Sequence, residues 1–175
     1  MNNIDYGITK YLKIMELFPQ TDVKTDESFQ RLFNGFYQVR RNAEWRKVYY
    51  DFMEKIKRTN PSSINGIISY LWENTPQNKV ELSFSSKLLH TVNPIYPIYD
   101  RKVAEFFNLL PAKPYWDSEK KIHYSIDIYQ RIIEKYQTTQ IQSLSRRFDD
   151  LFPGYADRIG QTKKIDFIIW KNLYI

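Results

Sequence analysis

The sequence predicts an all-α fold, a compact bundle of about eight or nine helices that forms one domain over residues 1–175. Apolar residues recur at intervals of three and four along most of the chain, while the alternation typical of strands is nearly absent. Prolines divide this pattern into segments of helical length. A chain of 175 residues can bury one substantial core, and its 42% hydrophobic and 17% aromatic residues exclude a disordered chain.

Three helices are predicted in the N-terminal third. The first, Ile4–Phe18, ends before Pro19, and the second follows Asp26, whose carboxylate can cap it. The third lies within the most basic segment, residues 40–58, and has an amphipathic period. Two interpretations of its charged side are open: a solvated face, or a surface that contacts phosphates.

The remaining elements follow from turn residues and apolar periodicity. A turn at Asn60–Ser63 precedes a helix with apolar residues from Ile64 to Trp72, which is broken at Pro76. Beyond the central stretch described below, LLPAKPYWD is a loop, and Asp117 or Ser118 begins a long helix. That helix continues through Tyr136, and two further helices are predicted around residues 141–151 and 165–173.

The central stretch, residues 83–107, places a lysine near an aspartate. Ser83 is predicted to cap a helix that carries Lys87 and ends before Pro94. Asp100 is predicted to cap the next helix, RKVAEFF. The linker of seven residues between them, whose apolar side chains we expect to be packed, spans up to about 23 Å. It can therefore turn back to bring Asp100 beside Lys87.

The run SKLLHTVNPIYPIYD resembles the lysine-to-aspartate segment of the helix-hairpin-helix DNA glycosylases, in particular small bacterial proteins similar to 8-oxoguanine DNA glycosylase. FNGFYQVRR and KKIDFIIW also resemble that group, so the similarity covers about Phe33 to Trp170. It implies a helix-hairpin-helix glycosylase-like fold with Lys87 as the catalytic nucleophile and Asp100 as the active-site aspartate. The family's hairpin contains glycine, whereas residues 81–86 here contain none.

The resemblance implies that a damaged base, of the 8-oxoguanine kind, is excised from DNA. A neutral lysine amine can attack the sugar C1′ and form a Schiff base, and the aspartate can stabilise the positive charge on the sugar. The candidate DNA-binding residues are Ser86 and His90 near the lysine, Arg101 and Lys102 after the aspartate, and Arg40 and Arg41 in the basic segment.

The composition limits the classes of partner, metal and cofactor that we expect. The net charge of +6 favours acidic partners, and we expect DNA. With two histidines and no cysteine, and without a nucleotide-binding glycine pattern, neither a metal nor a cofactor is expected. No apolar run approaches the length of a membrane span, so we expect a cytoplasmic protein.

Three functions remain open on the sequence. The chain is a DNA glycosylase, a non-catalytic nucleic-acid-binding or protein-interaction module of the same fold, or a helical interaction protein that never meets DNA. The absent glycine favours the second interpretation. Salt-dependent DNA binding separates the third from the others, and lysine-dependent covalent chemistry separates the first from the second.

Overall fold

The structure, a computed structural model, describes residues 3–174 and is all-helical over them. A short 3-10 helix, Pro153–Arg158, joins the last two α-helices. The α-helices are α1 (Asn3–Leu17), α2 (Glu27–Tyr37), α3 (Ala43–Ile56), α4 (Asn65–Asn74), α5 (Leu82–Val92), α6 (Arg101–Phe106), α7 (Ser118–Tyr136), α8 (Thr139–Leu151) and α9 (Gln161–Trp170).

Three of these helices begin at the aspartates that the sequence indicated. The carboxylate of Asp26 accepts the Phe29 N–H at 2.9 Å, and Asp117 caps α7 in the same way. Asp100 accepts the Val103 N–H at 2.9 Å and so fixes the start of α6. The predicted cap of α6 is therefore confirmed.

The predicted start of α5 is wrong. The helix begins at Leu82, so Ser83 lies inside its first turn and does not cap it. Glu81 occupies the cap position but makes no capping hydrogen bond, because its carboxylate pairs with Arg41. This ion pair joins the start of α5 to the segment that leads into α3.

The linker between α5 and α6 is held by hydrogen bonds to its neighbours. The Tyr99 N–H donates to the Ser86 hydroxyl at 2.9 Å, and the Tyr129 hydroxyl donates to the Pro97 carbonyl at 2.7 Å. Ile98 is buried, whereas Ile95 is 70% exposed, which corrects the expectation that all apolar side chains of the linker are packed. The turn at Pro94 directs Ile95 outward while residues 97–99 return to α5.

The core is one hydrophobic cluster that extends from α1 to α9. Phe33 of α2, which is fully buried, contacts the rings of Tyr37, Tyr49 and Tyr50 and so joins α2 to α3. At the other end of the chain, α9 packs against α8 and α6. This arrangement brings α9 to the segment that follows Asp100.

None of the helices within residues 3–174 is long and apolar enough to cross a membrane.

Candidate functional site

A cavity of about 560 Å³ lies where the C-terminal end of α2, the middle of α5, the start of α6 and one face of α9 meet. Both Lys87 and Asp100 line it. The two residues are brought together because the linker returns to α5, where Ser86 binds the Tyr99 backbone. The cavity has the size of a small-molecule site.

Lys87 extends from α5 into this cavity, with only part of its side chain in contact with solvent. Its Nζ donates a hydrogen bond to the Tyr37 carbonyl at 3.1 Å and lies 5.1 Å from the centroid of the Phe84 ring. Burial lowers the pKa of Lys87 from 10.5 to about 8, although the charges of Asp100 and Glu81 act in the opposite direction. Removal from water disfavours the ammonium form, so the neutral amine becomes accessible near neutral pH.

Asp100 combines a structural and an electrostatic role. One carboxylate oxygen caps α6, and this hydrogen bond fixes the orientation of the group. The carboxylate also acts on the pKa values of Lys87 and Lys163 from the wall of the cavity. Asp100 therefore places a carboxylate of fixed orientation on the wall of the cavity that Lys87 also lines.

A second pair of charged residues, Lys163 and Asp166 of α9, lines the same cavity. The Lys163 Nζ lies 3.7 Å from Oδ2 of Asp166, and both side chains are buried. The other carboxylate oxygen accepts a hydrogen bond from the Tyr136 hydroxyl at 2.6 Å. Burial raises the pKa of Asp166 to about 7, with Lys163 and Tyr136 acting against the rise.

Sequence reasoning missed this pair. In the run KKIDFIIW, Lys163 and Asp166 are three residues apart on a helix whose remaining residues are mostly apolar. One signal could have identified them: the helix is apolar enough to be buried, yet it carries a lysine and an aspartate on the same face. The sequence alone does not indicate which cavity they line, since that depends on how α9 packs.

Basic side chains outnumber acidic ones on the lining of the cavity. Arg101 and Lys102 lie at the start of α6, where both interact with Glu105, and Arg40 donates to Gln38 at 2.8 Å on the opposite side. Together with Lys87 and Lys163, five basic residues line the cavity against two carboxylates. The cavity is therefore suited to a ligand that carries negative charge.

Three of the predicted DNA-binding residues lie away from the cavity lining. Ser86 and His90 are fully buried, so neither reaches solvent for a direct contact with DNA in this conformation. Ser86 holds the linker through Tyr99, as described above. Arg41, which is partly exposed, pairs with Glu81 and lies against the Trp45 and Phe84 rings.

His90 is a neutral structural histidine. Its Nδ1 lies 2.7 Å from the Tyr96 carbonyl, which can only accept, so Nδ1 carries the proton. The other ring nitrogen, Nε2, then accepts from the Tyr11 hydroxyl at 3.1 Å. Burial lowers the pKa of His90 to about 3, with the charge of Lys163 acting in the same direction.

This buried histidine predicts a loss of stability in acid. Between pH 6.5 and about 3 the unfolded chain binds a proton at residue 90 that the folded protein excludes. As the pH is lowered through this window, the free energy of unfolding therefore decreases by up to about 1.4 kcal/mol per pH unit. Urea unfolding at several pH values should show a smaller decrease for His90→Gln than for wild type. His123→Gln, which changes an exposed histidine, is the matched control and should keep the wild-type decrease.

Aromatic side chains form the remaining walls of the cavity. Phe36 and Tyr37 come from the end of α2, and Phe167 and Trp170 come from α9. Trp170 is 37% exposed and lies beside Phe36, with 6.3 Å between ring centroids. The flat faces of such rings can hold a planar ligand.

Tyr115 and Trp116, the two neighbouring aromatic residues of the loop LLPAKPYWD, do not line the cavity. Tyr115 is 77% exposed. Trp116 packs edge to face on Tyr124, with 5.0 Å between centroids. In the described part of the chain, no group of three or more histidine, aspartate or glutamate side chains is placed to hold a metal ion.

Comparisons of the chain with protein-family models, with curated proteins and with solved structures found no match. The functional assignment therefore depends on the residues and geometry of the cavity.

Proposed function

We propose that this protein removes a damaged base from DNA, with Lys87 as the nucleophile and Asp100 as the assisting carboxylate. One observation carries the proposal. Lys87, whose pKa is lowered, lines a positively charged cavity that is large enough for a base, and Asp100 lies on the wall of the same cavity. Lysines with such shifts are enriched at sites of nucleophilic catalysis. The resemblance of residues 86–100 to glycosylases supports the same assignment.

The lowered pKa matters because only the neutral amine is a nucleophile. With a pKa of about 8, roughly one-tenth of the Lys87 side chains are neutral at pH 7. For a lysine with the ordinary pKa near 10.4 the neutral fraction is roughly 0.04%. Burial therefore increases the concentration of the reactive form by about two orders of magnitude.

The proposed reaction begins when the Lys87 nitrogen attacks C1′ of the damaged nucleotide. The C1′–N bond to the base breaks, and the base leaves with the bonding electrons and takes up a proton from water. Asp100 stabilises the positive charge that develops on the sugar and accepts a proton from the lysine nitrogen. The C1′–O4′ bond then breaks, O4′ takes up the proton that Asp100 accepted, and a Schiff base joins Lys87 to C1′ of the strand.

The rest of the cavity suits a nucleotide that has left the DNA stack. Aromatic walls, in particular Phe36 and Trp170, can stack against a flipped base. Arg101, Lys102 and Arg40 can bind the adjacent phosphates.

The alternative function is a binding module that has lost catalysis. One observation favours it: the segment before Lys87 lacks the glycine of the family's hairpin, and α5 begins without a side-chain cap. Such a module would use the same basic residues to bind DNA in a salt-dependent way. It would form no covalent bond through Lys87.

Borohydride trapping tests the proposal. The protein is incubated with duplex and single-stranded oligonucleotides that carry 8-oxoguanine, uracil, an alkylated base or an abasic site, and the Schiff base is reduced in place. We expect a covalent protein–DNA product with at least one lesion and none with undamaged DNA. Mass spectrometry of the digested product should assign the attached residue to Lys87.

Each other outcome has a defined meaning. Attachment at a different amine, such as Lys102 or Lys163, which also line the cavity, would reject Lys87 as the nucleophile. Salt-dependent DNA binding without base release or trapping would support the binding module. Absence of both binding and base release across the panel would reject the proposed function.

A further inference from the structure

Two lysines line one buried cavity, and their surroundings differ. Lys87 donates to the Tyr37 carbonyl at 3.1 Å, and the Lys163 Nζ lies 5.5 Å from the centroid of the Tyr37 ring. The same residue thus contacts both amines. The positive charge of Lys163 lowers the pKa of Lys87, so protonation of one amine disfavours protonation of the other.

The surroundings of Lys163 favour the charged form. Its Nζ lies 5.0 to 5.5 Å from the centroids of four aromatic rings, and the Asp166 carboxylate is 3.7 Å away. A cation within about 6 Å of a ring face is attracted to it. The rings belong to Tyr11, Phe36, Tyr37 and Phe167.

The surroundings of Lys87 are poorer in groups that stabilise a cation. Its amine has the Phe84 ring at 5.1 Å and a neutral carbonyl as hydrogen-bond acceptor. The charged and titratable groups around it come from every element that packs at the cavity: Tyr37 and Arg40 from the α2 side, Glu81 from α5, Asp100, Arg101 and Lys102 from α6, and Lys163 and Asp166 from α9.

We infer that Lys163 is a positioning residue for Lys87: its ammonium group, held by Asp166 and the aromatic rings, repels a second positive charge and so increases the fraction of Lys87 that is the neutral amine. The inference rests on the proposed role of Lys87 as the nucleophile. Lys163 does not itself attack the substrate. It acts through the protonation of Lys87.

The pKa directions agree with this division of roles. Burial is the largest cause that lowers the pKa of Lys87 to about 8, and the charge of Lys163 lowers it further. Burial also lowers the pKa of Lys163, but both Asp166 and Asp100 oppose that change. Two carboxylates and four aromatic rings thus stabilise the positive charge on Lys163.

The test measures the protonation of both lysines without DNA. The folded protein is labelled with a trace of acetic anhydride at pH values from 6 to 11, and mass spectrometry gives the extent of labelling at each lysine. In wild type, Lys87 should be labelled at lower pH than Lys163. In Lys163→Met, the labelling curve of Lys87 should shift to higher pH, with roughly a tenfold decrease in its labelling at pH 7.

Two controls separate charge from structure. Lys163→Arg keeps a cation at the same place and should leave the Lys87 curve close to that of wild type. Lys47→Met removes the same charge from an exposed site on α3 and should have no effect on Lys87. If circular dichroism shows that Lys163→Met does not fold, Lys163→Met with Asp166→Asn removes both members of the buried pair and carries the same expectation for Lys87.

An unchanged Lys87 curve in the folded Lys163 variant would overturn the inference, as would labelling of Lys163 at lower pH than Lys87 in wild type. Because no DNA is used, these outcomes are independent of trapping. A protein that shows the expected shift but never forms a DNA adduct would retain the inferred coupling and lose the proposed function.

Discussion

Replacement of Lys87 by methionine should abolish adduct formation, with a decrease of at least about 10³-fold, because methionine fills a similar volume and has no amine to attack C1′. The rate is measured by single-turnover trapping on whichever lesion the wild-type protein accepts. Lys79→Met is the matched control, because Lys79 is exposed and lies just before the same helix. That control should keep the wild-type rate.

The same substitution should leave the protein as stable as wild type or more stable. Below about pH 8 the folded protein holds a charged Lys87 in a desolvated place, which costs free energy that methionine does not cost. Between pH 8 and 10.5 the unfolded chain binds the proton more tightly, so wild type gains stability with rising pH and the difference shrinks. A Lys87→Met protein that is folded yet still traps DNA would exclude this residue as the nucleophile.

Asp100→Asn should decrease base release by about 10²- to 10³-fold while the fold is unchanged. Asparagine caps a helix as well as aspartate does, so the hydrogen bond from Val103 is kept and the free energy of unfolding should change by less than about 0.5 kcal/mol. The amide carries no charge, however, and cannot stabilise the cationic sugar. Single-turnover base release and urea unfolding measure the two effects separately.

This substitution also distinguishes two roles for the carboxylate. Asp100 raises the pKa of Lys87, so its removal should make the lysine neutral more often and increase its labelling at pH 7. More reactive lysine together with slower base release would show that Asp100 acts on the sugar. A wild-type rate of base release in Asp100→Asn would contradict a catalytic role.

Asp117→Asn is the matched control for Asp100. Asp117 caps α7 through a hydrogen bond from Lys120 at 2.7 Å, is exposed, and does not line the cavity. The substitution therefore repeats the chemical change at a second helix start. It should affect neither stability nor base release.

The sequence was informative about the local structure because the determinants of helices are local. Side-chain caps such as Asp26 and Asp100 and helix breakers such as Pro94 act within a few residues, and apolar spacing identifies the buried face. The predicted cap at Ser83 is wrong because the helix begins at Leu82, one residue before Ser83, and the residue at the observed cap position makes a long-range contact. Glu81, at the observed cap position, pairs with Arg41 from a segment forty residues earlier.

Eight residues were selected from the sequence for the candidate site, and in the structure five of them line one cavity. Lys87 and Asp100 are among them, together with Arg101, Lys102 and Arg40. The buried histidine and serine were selected because they are polar and close to Lys87 in sequence. Their side chains are buried, and there they bind the backbone of the linker.

By itself, the sequence determined the all-helical class and most helix boundaries, since these depend on neighbouring residues, and it showed that the linker is long enough for the chain to return from Asp100 to Lys87. Only the tertiary structure decided that Lys163 and Asp166 share the cavity with Lys87. Burial of a charged group depends on which distant helices enclose it. The same enclosure removes the water around the Lys87 amine, so the chemical character of this lysine is a property of the packed fold.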